Sequence, residues 1–129
     1  MQIHEKTLID EEPHLDELNH VNNVQYVQWV QDVAEEHWLK NASSDILSHY
    51  FWVLLTHHIE YKNEARLGDS IKLKTFIVKN EGVKSVRRVE ISNLKTDQLL
   101  ALSDTTWCLI NAKNHKPSRV TKEIISLFD

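Results

Sequence analysis

Asp16, His20, Asn22 and Asn23 fall within eight residues of the stretch LDELNHVNNVQYVQW, immediately ahead of an amphipathic segment. A carboxylate can serve as general base on water or as a nucleophile, and an imidazole can hydrogen-bond that water or a carbonyl oxygen. The start of a helix presents unpaired N–H groups and a positive partial charge, which favour an anion or a developing oxyanion. Here those amides would belong to Asn23, Val24 and their neighbours. Asp16 stands six residues before Asn22, close enough for a loop to bring its carboxylate beside them. A base next to an oxyanion site is the least equipment that hydrolysis of an activated acyl compound requires.

Part of this stretch is explained by folding alone. Asn22 is a good N-cap, Gln25 three residues on can complete a capping box, and Val21 with Tyr26 is placed as a hydrophobic staple. That account leaves Asp16, His20 and Asn23 over. The segment that follows predicts a helix over about Asn23 to Lys40. At 100° per residue, Tyr26, Val27, Val30, Val33, Ala34, His37 and Trp38 lie within about 80° of Val30, with Trp29 at the border of the stripe. So wide a stripe requires a concave partner, and within it His37 reads as a hydrogen-bonded core residue.

The elements around the helix are strands. IHEKTLI alternates, as does DSIKLKTFIVKN after Gly68, and VKSVRRVEISNL after Gly82 is its hairpin partner. NLKTD marks the next turn, before the long strand DQLLALSDTTWCLINA. FWVLLTHHIEYKN predicts a strand with Val53, Leu55, His57, Ile59 and Tyr61 on one face. TKEIISLF is a closing helical turn. Short connections imply an antiparallel sheet, and one long helix must cover one of its faces. The expectation is a single α+β domain over residues 1–129: a curved antiparallel sheet wrapped around one long helix.

With 129 residues, 41% hydrophobic and 26% charged, the chain has the composition of a globular protein with a real core. No apolar run reaches the ~20 residues of a membrane span, and MQIHEKTLID has no signal-like apolar core. Cys108 is the one cysteine, which excludes an internal disulfide and fits a reducing cytoplasm. A formal charge of −4 argues against nucleic acid, and the cluster KSVRR reads as a solvated strand face. Adjacent His57 and His58 point to opposite faces of a strand and cannot share a metal. No glycine-rich phosphate loop or other cofactor signature is present, so neither metal nor cofactor is expected.

DELNHVNNVQYVQW resembles the D-x-x-G-H-V-N-N-x-x-Y-x-x-W signature of hotdog-fold acyl thioesterases, the 4-hydroxybenzoyl-CoA thioesterase-like and acyl-ACP thioesterase group. HHIEYKNEARLGDSIKLKT and TTWCLINAKNHKPSRV are similar to later segments of that group, so the resemblance spans roughly residues 3 to 128. Asn19 replaces the glycine that usually precedes the His, and His14 stands where an acid often precedes the key Asp. The resemblance implies a hotdog fold, with Asp16 as catalytic base or nucleophile. His20 would line the site or pack its loop, Asn22 would serve as cap and site residue, and the Asn23 and Val24 amides would polarise the thioester carbonyl. It places Tyr26 beside the substrate and leaves Glu60 either solvated or reaching a neighbouring subunit's site. Arg66, Arg87 and Arg88 would meet CoA phosphates at the surface. The implied substrate is acyl-CoA, or acyl-ACP as the alternative, in a homo-oligomer that is a dimer or a dimer of dimers. A hotdog that binds acyl groups without catalysis is the reading from another class.

Overall fold

The computed structural model describes residues 1–9 and 22–129. In chain order the elements are β1 (His4–Ile9), α1 (Asn23–Asn41), α2 (Ser44–His49), β2 (Tyr50–Tyr61), β3 (Ser70–Glu81), β4 (Lys84–Asn93), β5 (Leu99–Asn111) and α3 (Lys122–Ser126). The strands form one sheet in the order β1-β3-β4-β5-β2, and every neighbouring pair is antiparallel. This is the expected α+β arrangement, with α1 laid against one face of the sheet.

The turns follow from local chemistry. β3 and β4 are joined across Glu81↔Lys84, a two-residue loop whose first position, Gly82, has φ +62°, where a side chain would be strained. The loops after β4 and β5 share one construction. Asn93 Oδ1 accepts from the amides of Lys95 and Thr96, and Asn111 Oδ1 from those of Lys113 and Asn114. Each loop then passes a left-handed residue, Asp97 or His115, whose N–H donates back to the same asparagine's carbonyl. Asn and Asp favour such turns because their short side chains stand in for backbone acceptors.

Two apolar clusters hold the layers together. Tyr26, Trp29, Val30 and Val33 of α1 pack on Ile71, Leu73, Val89, Ile91, Leu100 and Ala101. Ile46, Leu109, Val120 and Ile124 form the second, with Trp38 and Trp52 beside them. Each fully buried aliphatic side chain is worth about 1.5–3 kcal/mol. α2, capped by Ser43, and α3, capped by Thr121, are too short to show a 3.6-residue period, and both serve to close this second cluster.

The structure corrects two expectations. Trp29, placed at the border of the helix stripe, is only 4% exposed, because the curved sheet covers more of the helix than a flat one could. Val53, Leu55, His57, Ile59 and Tyr61 do not share a face. The register slips between Leu54 and Thr56, so Val53 opposes Cys108 whereas His57 opposes Thr105, three residues away and therefore on the other side. Tyr50 and Trp52 face inward before the bulge, and Ile59 packs on the core after it.

Candidate active site

Asp16 and His20, with Val21 of the proposed staple, lie outside the described residues. What the structure describes is the helix start that follows them. Asn22 has φ −62° and ψ 136° and caps α1, its Oδ1 accepting from the Val24 amide at 2.9 Å. The amides of Gln25 and Tyr26 donate to the Asn22 carbonyl at 2.8 and 3.4 Å. The Val24 amide is therefore occupied by the cap, and the Asn23 N–H is the first-turn donor left without an acceptor among the described residues. No acidic side chain lies in the first turn to offset the positive end of the helix.

This end of α1 is tethered from two sides. Tyr61 donates its hydroxyl to the Asn23 carbonyl at 3.4 Å, and burial raises that phenol's pKa, so it stays protonated. The Tyr26 hydroxyl accepts from the Ala65 amide at 3.2 Å, and its ring meets Trp29 and Tyr61 edge-on. Tyr26 is buried and holds the segment between β2 and β3 against the helix. Glu60, next to Tyr61, is exposed on the outer side of β2. Lys62 at 3.2 Å and His58 at 3.7 Å hold its carboxylate below the usual range, the Lys62 hydrogen bond contributing most.

A second polar group is buried farther along the helix. Arg87 Nη1 donates to His37 Nδ1 at 2.8 Å and to Thr75 Oγ1 at 3.0 Å. His37 Nε2 in turn donates to Gln2 Oε1 at 2.7 Å, so the imidazole is neutral with its proton on Nε2. Burial, then the positive charge of Arg87, lowers the His37 pKa to about 3. Burial also lowers Arg87 to about 10, and its guanidinium lies over the Phe128 ring. Arg87 is 5% exposed, which overturns its expected place at the surface; Arg88, on the opposite face, forks onto Asp104 at 2.8 and 3.1 Å. Arg66 is exposed beside Glu64. The strand alternation already holds this signal: Val89 and Ile91 mark the inward face of β4, and Arg87 is in phase with them.

His57 and Ser103 meet on the inner face, Nε2 to Oγ at 2.7 Å, and burial lowers the His57 pKa with a smaller contribution from His58. Cys108 is buried. Among the described residues no group of three or more His, Cys, Asp or Glu side chains could hold a metal, and no helix is long and apolar enough to cross a membrane.

The sequence model of the acyl-ACP thioesterase N-terminal domain matches residues 14–128. Solved structures share the fold. The probable thioesterase YbaW from Escherichia coli is 21% identical, with 95% of this chain and 94% of that one covered at a TM-score of 0.85. A 1,4-dihydroxy-2-naphthoyl-CoA thioesterase from Synechocystis is 17% identical, covering 98% and 95%, with a TM-score of 0.84. A mutant 4-hydroxybenzoyl-CoA thioesterase complexed with 4-hydroxybenzoyl-CoA is 13% identical over 100% of both chains, with a TM-score of 0.89. The sheet wrapped around α1 is thus the hotdog fold. No curated protein matches the chain significantly by sequence.

Proposed function

Since the chain belongs to the acyl-ACP thioesterase family of hotdog proteins, we propose that it hydrolyses acyl-CoA to the free acid and CoA. The observation that carries this reading is the N–H of Asn23, the last residue of the D-x-x-x-H-V-N-N motif, left without an acceptor among the described residues at the positive end of α1. In the proposed reaction the Asp16 carboxylate takes a proton from water as its oxygen attacks the thioester carbonyl. The carbonyl oxygen becomes an oxyanion held by the Asn23 amide. Collapse breaks the C–S bond, and CoA leaves as the thiol once it takes up the proton. Direct attack by Asp16, through an acyl-enzyme anhydride, is the other route to the same products. His20 would bind the water or the carbonyl. Arg66 and Arg88 are the surface cations for CoA phosphates, Arg88 only by sharing its guanidinium with Asp104.

The edge of the sheet supports a homodimer. Among the described residues β2, twelve residues long, borders only β5, and it exposes Phe51, Val53 and Leu55 with no lysine or proline in the strand to discourage pairing. The family match also favours a second reading, in which the thioester is carried by an acyl carrier protein.

The test is thiol release from a panel of short, long, branched and aromatic acyl-CoAs, beside the Asp16→Ala variant. Turnover abolished by the substitution, with the fold intact, is the expected result. Turnover unchanged in Asp16→Ala overturns the mechanism. Turnover only on acyl carrier protein favours the second reading.

A further inference from the structure

A cavity of about 570 Å³ opens between the second half of α1 and the beginning of β2, within the size range of small-molecule sites. Its walls are aromatic, with Trp38, Trp52, Trp107, Phe51 and Phe128, and Arg87 is part of the lining. Buried polar donors are almost always satisfied in folded proteins, and buried charges are almost always paired. Arg87 breaks both regularities. Both of its protein hydrogen bonds leave from Nη1 and end on neutral acceptors. Its Nε and Nη2 have no acceptor among the described residues, and no described carboxylate pairs with it; Glu35, which also lines the cavity, makes no ion pair with it. Nε and Nη2 are the two donors that together form the planar fork for a carboxylate.

We propose that this cavity binds the carboxylate of an aromatic organic acid, with Arg87 forked onto the carboxylate and the ring among the tryptophans. Flat aromatic walls suit a flat apolar body, and a water-poor surrounding strengthens the charge-assisted pair. His37 and Thr75 act as positioning residues: by occupying Nη1 they fix the guanidinium and leave its other edge toward the ligand. The site is distinct from the helix start, since His37 stands fourteen residues along α1 from Asn23, about 21 Å at 1.5 Å per residue. The acid is one free in solution, as a thioester hydrolase would release it, because a thioester held at the Asn23 amide is too far away for its own aromatic acyl group to reach Arg87.

The first arm is a fluorescence titration, since three of the chain's four tryptophans line the cavity. Benzoate and 2-naphthoate are compared with their neutral amides in the wild-type protein and in Arg87→Met. Saturable quenching by an acid, at least tenfold weaker with its amide and lost in Arg87→Met, is expected for a free acid. The second arm compares turnover of the CoA thioester of terephthalic acid, which keeps a free carboxylate, with that of benzoyl-CoA. A preference for the first that Arg87→Met removes would put carboxylate and thioester in one pocket and overturn the separation of this site from the helix start. Equal affinity for acid and amide in the wild-type protein overturns the proposal whether or not the variant folds. An enzyme inactive on every thioester overturns the proposed function but leaves the fluorescence arm to decide this site.

Discussion

Arg87 carries a full positive charge into the interior without a carboxylate partner among the described residues, and that arrangement has a balance that can be tested. The downward pull on its pKa, from 12.5 to about 10, corresponds to about 3 kcal/mol of penalty on the charged form. Against it stand two charge-assisted hydrogen bonds, each worth about 1.5–3 kcal/mol. The two nearly cancel, and Arg87→Met also leaves the buried His37 Nδ1 without its donor, so the substitution is expected to be neutral to mildly destabilising, with Tm within a few degrees of wild type in a ligand-free thermal melt. A drop of several degrees would mean that the guanidinium is a structural keystone. Asn22 gives a plainer expectation. Asn22→Ala removes the acceptor for the Val24 amide, costing about 1 kcal/mol and lowering Tm by about 3–5 °C. At this scale the cap was legible because an N-cap is local chemistry. The triad of Arg87, His37 and Gln2 was not, because its members lie 50 and 35 residues apart and only the fold brings them together.

Among the elements, β2 makes the clearest demand on its surroundings. A twelve-residue edge with exposed Phe51, Val53 (41% exposed) and Leu55 is a template for another strand. Val53→Lys should shift the protein toward monomer in sedimentation velocity while far-ultraviolet circular dichroism stays unchanged; a dimer that survives it rules out pairing along this edge. β1, β3, β4 and β5 could be read from the sequence because half-burial imposes a two-residue period, and α1 because its apolar stripe runs for five turns. α2 escaped, since six residues cannot display a helical period. The phase of β2 was misread across Leu55 because a bulge changes pairing without leaving a Gly or Pro to mark it.

For the molecule as a whole, pH acts through histidine burial. His37 has a folded pKa of about 3 against an ordinary 6.5, so between these values the unfolded chain binds a proton that the folded one refuses. Stability contributed by the neutral imidazole is complete above pH 6.5 and is lost as pH falls, by about 1.4 kcal/mol per unit. His57, also lowered, acts in the same direction. Urea midpoints at pH 7, 6 and 5 should fall steadily, before most carboxylates titrate, and the slope should shrink in His37→Gln; equal slopes would remove His37 as the cause. The bulge in β2 has a consequence at this same scale. Had the strand kept the phase of Tyr50 and Trp52, its second half would turn Thr56, His58 and Glu60 inward, placing a carboxylate against the apolar core. The one-residue slip instead sends Trp52 to the cavity at one end and Ile59 and Tyr61 to the helix start at the other. A single strand thus works as a differential between the two ends of the molecule, and deleting Leu55 would leave one end or the other out of step.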